Sequence, residues 1–423
     1  MSSALRHLAR RLVDFASGEI LGRLCNIAIL LFLAHRFGVV FVGVYALAQG
    51  MVQYSYPFID FGLRHVGARL IAKHPEAGEE IVRQVQKRRL LMAGLLIPLL
   101  ALYAWFVNLP LQEKLFVFAF AMVGSLYAAS LDWAAWGREH LRLASFGRAV
   151  VPASVLLCLL LGHNSGYVLW WLVLGNVVGN VLQATVFRAW WRKHRPVLSR
   201  PIPLDSIRDS LEWKRTSVMG MAWFCNLAFS SIDMLMLGVM TNSREVGLYS
   251  AAYRVLSQVL FTYYFLTNVL YPQLARQNHR QRLRMLQPRI LLPLFGLGMV
   301  IAVLVTLVRR PVMGIVFGHE FLPATLLLLL LAWAIPLDFV TSFLTNAYIA
   351  WGMEKEILRC TAIAAASNIV LNLIWIPGYG ATAAAANTLV SYVIFLVSLA
   401  FAGRKMAKEF TIVEDESVPE LIA

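Results

Sequence analysis

Gly43-Val44-Tyr45-Ala46-Leu47-Ala48-Gln49 opens one long apolar stretch, and Gly247-Leu248-Tyr249-Ser250-Ala251-Ala252-Tyr253 opens another, 204 residues later. A second echo pairs Trp136-Gly137-Arg138-Glu139 with Trp351-Gly352-Met353-Glu354, 215 residues apart. The two echoes keep their order along the chain, so they read as an internal repeat rather than as chance likeness among Ala-, Gly- and Leu-rich helices. They fall at the start of the second and eighth apolar stretches and at the end of the fourth and tenth. Each half therefore holds six. Six is even, so both halves enter a membrane in the same sense, as parallel repeats.

Working outward from these anchors, apolar runs of about 17–25 residues recur along the chain, each long enough to cross ~30 Å of hydrocarbon as a helix. The predicted spans are 15–36, 40–62, 89–109, 114–136, 146–163, 166–189, 216–240, 246–272, 290–309, 322–351, 359–376 and 380–403. Composition agrees: 59% of the 423 residues are hydrophobic and 14% charged, whereas soluble domains carry about 25% charged. The expected fold is an all-α polytopic membrane protein of about twelve transmembrane helices in two pseudo-symmetric six-helix lobes. The lobes are 1–190 and 216–403, joined by a linker over 191–215 that contains Pro196, Pro201 and Pro203. A tail over 404–423 is expected to be disordered from Glu409, where five acids fall in the last 15 residues. No A-x-A cleavage pattern follows the first apolar stretch, which is expected to stay as a span.

The net charge of +15 would suit nucleic acid, but its placement points elsewhere. With Arg6, Arg10 and Arg11 on the cytoplasmic side and twelve spans following, 31 of the 38 Lys+Arg fall in cytoplasmic segments. Five fall in the opposite turns or the span ends beside them, and two, Arg23 and Arg254, lie well inside spans, the remaining charges near span ends being counted with the segments they adjoin. This is the positive-inside pattern, which orients a multi-pass inner-membrane protein with both termini cytoplasmic. No basic domain is left over for nucleic acid. The four cysteines (Cys25, Cys158, Cys225, Cys360) show neither metal spacing nor a paired periplasmic framework. With no Ser/His/Asp constellation, acidic metal cluster or nucleotide loop, the chain reads as neither an enzyme nor an ATPase, and no cofactor is expected beyond a coupling H+ or Na+.

An ionisable group inside a span costs roughly 2.5–3.5 kcal/mol at the centre on insertion scales, so each needs a reason. Glu19 and Arg23, spaced i, i+4, can pair on one face of the first span. Alternatively that face, with Asn26, lines a hydrated cavity where Arg23 reaches an anionic substrate. Arg254 has no acid within one turn, although Asp233 or Asp338 could reach it across helices. Asp233, Asp338 and Asp60 are candidates to bind a coupling ion or to satisfy neighbouring helices. Asn226, Asn268, Asn346, Asn368, Asn372 and Asn387 concentrate in the second half, where interhelical hydrogen bonds are the ordinary role. Asn226 is also a candidate cavity residue. Arg64, Arg215 and Arg359 stand at cytoplasmic span ends. They would meet anionic headgroups, or the pyrophosphate of a substrate arriving from that leaflet.

Two stretches carry a family resemblance. One runs Ser231-Ile232-Asp233 through Leu237-Gly238 to Val246-Gly247-Leu248-Tyr249-Ser250-Ala251-Ala252-Tyr253-Arg254. The other runs Gly352-Met353-Glu354-Lys355 to Ser367-Asn368-Ile369-Val370-Leu371-Asn372-Leu373 and closes with Ile376-Pro377-Gly378-Tyr379-Gly380-Ala381. They resemble the polysaccharide-transporter family, the O-antigen and exopolysaccharide flippases within the multidrug/oligosaccharidyl-lipid/polysaccharide exporter superfamily. Thr382 and Ala383 stand where Gly-Ala is more usual, a mild departure. The resemblance implies twelve helices in two lobes forming a V around a central cationic cavity. It further implies that polyprenyl-pyrophosphate-linked oligosaccharide, a repeat unit of O-antigen lipopolysaccharide or exopolysaccharide, is flipped to the periplasmic leaflet by alternating access. Substrate-binding cations would be Arg23, Arg254, Arg64, Arg215 and Arg359. Expected partners are the lipid-linked oligosaccharide and membrane lipids, with a polysaccharide polymerase and a chain-length regulator as further candidates. The alternative reading is a cation-coupled multidrug or small-molecule exporter of the same superfamily.

Overall fold

The computed structural model of the protein describes residues 3–194, 213–277 and 279–416, with side chains over 17–194 and, with gaps, over 216–406. Most of the expected linker, the side chains of Arg215 and Asn268, and the last seven residues of the tail lie outside the described residues.

Glycines divide what would otherwise be continuous helices. Ser3–Asp60 runs as one 58-residue helix interrupted at Gly38, where φ is 77° and ψ is −173°. A side chain would strain that left-handed φ, so the chain reverses at a single residue without a loop. At the equivalent place 204 residues on, Trp213–Met240 and Ser243–Ala275 are parted at Asn242, whose side-chain Oδ1 accepts the Glu245 N–H at 3.1 Å. The last helix, Glu354–Glu416, breaks at Gly380 with φ 56°. There the Glu245 carboxylate accepts the Ala381 N–H at 2.9 Å, satisfying an amide that the break releases.

Both halves repeat the same order of elements. In the first, the divided helix Ser3–Asp60 is followed by the short Leu63–Lys73 and the long Gly78–Phe106. Leu111–Gly124 and Asp132–Gly137 then make one span broken by a 3-10 turn, and Leu141–Gly162 and Val168–His194 close the half. In the second, the short His279–Met285 and the long Pro288–Pro311 follow the helix pair. Ala324–Ala332 and Ile335–Ala350 form a span bent by 44°, and the divided last helix closes the half. Pro336 sits in the first turn after the bend, where its missing N–H leaves no partner unsatisfied.

Eight described segments are long and apolar enough to cross a membrane. Two of them, Ser17–Asp60 and Glu354–Met406, each hold two spans separated at Gly38 and Gly380. The bent pair and Ser243–Ala275 bring the described total to about twelve. Large apolar side chains face outward along them, including Trp105, Leu161, Leu307 and Ile374. A soluble surface does not tolerate such continuous apolar cover. The protein is a multi-pass, all-helical membrane protein.

The chain divides into two compact units, Met1–Phe224 and Cys225–Ala423, so the boundary falls within the helix Trp213–Met240. Part of the core of the first gathers around Leu63, Ile71, Trp133, Phe187 and Trp191. In the second, Phe229, Phe343, Tyr348, Trp351, Tyr392 and Phe395 pack together.

Candidate functional site

Among the described residues, three polar clusters that hold charged side chains interrupt the apolar interior, two in the first unit and one in the second. The first is built at a corner. Asp60 ends its helix, and Phe61 and Gly62 at φ 36° and 82° swing the chain so that Arg64 lies near it. Arg89 arrives from Gly78–Phe106, and Asp132 opens the short helix after the 3-10 break. Asp60 and Arg89 are both 0% exposed, with Arg89 Nε 3.1 Å from Asp60 Oδ1. That contact is an ion pair without hydrogen-bond geometry. The other guanidinium nitrogens donate to carbonyls at the break, Ser130 at 2.8 Å and Tyr127 at 3.3 Å. Arg64 pairs with Asp132 at 3.1 Å and donates to the Tyr127 hydroxyl at 3.2 Å. Two carboxylates thus face two guanidiniums. Asp60 and Arg64, singled out separately as ion-coupling and substrate-binding candidates, are neighbours in this one network.

The second cluster lies on the first span. Glu19 accepts from Arg23 Nε at 3.0 Å, the expected pair four residues apart, and also from Arg148 at 2.9 Å. Asn26 is half-buried and donates to the Gly22 carbonyl of its own helix at 3.0 Å.

The third centres on Asp233, which is fully buried. Tyr249 and Thr388 donate to its Oδ2, the latter at 2.8 Å, and Asn372 donates to Oδ1 at 3.3 Å. Asn372 also donates to Asn368 Oδ1 at 2.9 Å, and its own oxygen accepts from Asn387 at 3.0 Å. Every hydrogen-bond donor found on the Asp233 carboxylate is neutral. The buried Asn368 Nδ2 has no hydrogen-bond partner. The cluster draws on the two helices that open the second unit and on both halves of the last helix. At the matching repeat position, 204 residues earlier, the first unit carries the fully buried Ile29. Tyr45, the counterpart of Tyr249, there takes a hydrogen bond from Gln49 at 2.6 Å.

Asp338 is buried and accepts from Ser342 at 3.2 Å, one turn along its helix. Arg254 is half-buried in Ser243–Ala275. Asn226 is exposed, and Arg359 is exposed with Glu356 at 4.0 Å. Arg89 and Arg148 were not singled out in the sequence, because each stands at the start of a predicted span (89–109 and 146–163) and resembles a headgroup anchor. Of the third cluster, Asp233, Asn368, Asn372 and Asn387 were each singled out in the sequence, whereas Tyr249 and Thr388 carry no signal there of their part in it.

A pattern described as "Polysaccharide biosynthesis protein" matches residues 15–278, more than half of the chain. The chain belongs to that family. As a member of the polysaccharide biosynthesis protein family, it is 25% identical over 169 residues to a "Probable low-salt glycan biosynthesis flippase Agl15" of Haloferax volcanii. That match spans 39% of this chain and 36% of the relative's length. Among solved structures, the fold is similar to "Lipid II flippase MurJ, inward closed conformation", with a TM-score of 0.60, 14% identity, and 93% of this chain and 87% of that one covered. It is also similar to the inward-facing conformation of a multidrug resistance MATE family transporter of the MOP superfamily. There the TM-score is 0.69 at 10% identity, over 94% of this chain and 99% of the other. At such identities the likeness concerns the fold alone.

Proposed function

We propose that the protein is a flippase that moves polyprenyl-pyrophosphate-linked oligosaccharide from the cytoplasmic to the periplasmic leaflet of the inner membrane by alternating access. The cargo would be a repeat unit of O-antigen or exopolysaccharide. The observation that carries this reading is the presence of guanidiniums within spans at Arg23 and Arg254, both half-buried, in a member of a polysaccharide biosynthesis family. A pyrophosphate crossing a low-dielectric layer needs compensating cations along its path, and arginine offers bidentate contacts to phosphate. The named flippase relatives support the same direction. Both termini would be cytoplasmic, and a polymerase and a chain-length regulator would act on the product.

The driving ion would bind at Asp233. A buried carboxylate whose hydrogen-bond donors are all neutral has its charge met most directly by a cation or a proton, and the Asp233 oxygens with the Thr388 hydroxyl 2.8 Å away offer oxygen donors to a proton or a sodium ion. The same acid, together with the likeness to a multidrug transporter fold, favours the second reading, cation-coupled export of small molecules.

Deleting the gene separates the two. Lipid-linked oligosaccharide should accumulate on the cytoplasmic leaflet, and a surface polysaccharide should disappear. Unaltered glycan together with changed dye export would instead establish the exporter reading.

A further inference from the structure

The cluster at Glu19 is held by close backbone contact. A Cβ on Gly18 would fall 2.0 Å from the Ser145 carbonyl oxygen, and one on Gly22 would fall 2.9 Å from that of Arg148. The Gly18 N–H donates to Ser145 Oγ at 2.9 Å. These glycines let the first span and Leu141–Gly162 meet along a seam, and the seam sets Arg148 opposite Glu19. The carboxylate is then shared: Oε1 faces Arg23 and Oε2 faces Arg148. Unlike Asp60 and Arg89, which are sealed, these three side chains stay accessible, at 33% for Arg23, 26% for Glu19 and 35% for Arg148.

We propose that Arg148 is a second diphosphate-binding residue beside Arg23, and that Glu19 is the counter-ion the two exchange for the substrate's diphosphate. The proposal rests on the flippase reading and deepens it. An uncompensated guanidinium inside a span is costly, so the empty transporter needs an anion of its own at this place. A carboxylate bridging two guanidiniums fills that need and holds both side chains in a fixed geometry. An arriving diphosphate carries more charge and more acceptor oxygens than the carboxylate it replaces. Each guanidinium can meet it through parallel N–H donors. The exchange trades one anion for another, so the desolvation of the two cations is not repeated at each binding event. Glu19, one-quarter exposed, can turn toward water when displaced. Two guanidiniums on adjacent helices also match two linked phosphates better than one, which makes the cluster selective for diphosphate over monophosphate.

The test measures binding of a polyprenyl diphosphate, the matching monophosphate and the free alcohol to the purified full chain in nanodiscs. Wild type should prefer the diphosphate to the monophosphate. Arg148→Ala should cut that preference about tenfold, the scale of one lost charge-assisted hydrogen bond. Arg148→Lys keeps the charge without the fork and should lose most of the preference too, which covers the case in which the alanine variant does not fold. Glu19→Gln removes the competing anion and should tighten diphosphate binding several-fold while leaving the alcohol unaffected. Wild-type preference in Arg148→Lys would overturn the role of Arg148, and diphosphate binding no tighter than wild type in Glu19→Gln would overturn the counter-ion role; either result leaves the flippase reading standing. Failure of wild type to bind the diphosphate better than the alcohol would overturn both.

Discussion

Asp60 and Asp233 are both fully buried carboxylates within apolar helices, yet the two units treat them oppositely. Around Asp60 the protein supplies Arg89 directly and Arg64 close by, with Asp132 to balance the second cation. Around Asp233 it supplies only hydroxyls and carboxamides. A pair compensated in place can act as a brace, fixing the corner at Phe61 and Gly62 and the broken span beside it. A carboxylate whose protein partners are all neutral is suited to exchange, because its charge can be met from outside. The repeat sharpens the contrast, since Ile29 occupies the position of Asp233 in the first unit and leaves nothing there to exchange.

The largest expected effect tests the brace. Arg89→Ala would leave Asp60 buried beside an empty site and should cost about 3–5 kcal/mol, the usual penalty for removing one member of a buried pair. Thermal unfolding in detergent measures it, and combining Arg89→Met with Asp60→Leu should recover most of the loss. A cost below about 1 kcal/mol would mean that the network does not hold the corner. Asp233→Asn should behave differently: folding should change by no more than about 1 kcal/mol, because every hydrogen-bond donor around it is already neutral. Transport in vesicles should nevertheless lose its dependence on the ion gradient. Gradient-driven transport persisting in this variant would remove Asp233 from coupling. Thr388→Val deletes one hydroxyl of the same cluster and should weaken ion dependence while costing about 1 kcal/mol of stability.

The smallest effect separates the pH response of stability from either carboxylate. His140 lies between two spans, with ring centroids 5.1 Å from Trp190 and 5.6 Å from His194. Partial burial, then His194 and Arg138, hold its imidazole below the ordinary range. Its folded form therefore resists the proton that the unfolded chain accepts near pH 6.5. Above that pH it contributes no difference. Stability should fall as pH drops below about 6.5 and level off once the lower folded value is passed. His140→Gln should flatten this slope in melting curves between pH 7.5 and 5, and an unchanged slope would assign the response to other groups.

The spans were legible because crossing hydrocarbon demands long apolar helices, and a polypeptide advertises them in composition alone. Even the separations at 36–40 and 376–380 were legible, although only the backbone reveals that a single left-handed glycine suffices at Gly38 and Gly380. The charged residues were much less legible. Arg89 and Arg148, at the starts of the predicted apolar spans, have the same local pattern as any headgroup anchor. Nothing in that pattern distinguishes a sealed ion pair from a cation shared with Glu19.

By itself, then, the sequence determined the class of molecule, the six-plus-six order of its helices and the family to which it belongs. Periodicity and apolar length are local quantities, and the bilayer selects on them directly. Only the tertiary structure decided which charges meet: Asp60 with Arg89, Arg64 with Asp132, Glu19 with both Arg23 and Arg148, and Asp233 with hydroxyls and carboxamides alone. A charge in a low dielectric takes its meaning from what lies within a few ångströms. For most of these groups those neighbours lie on another helix, tens of residues away in the chain.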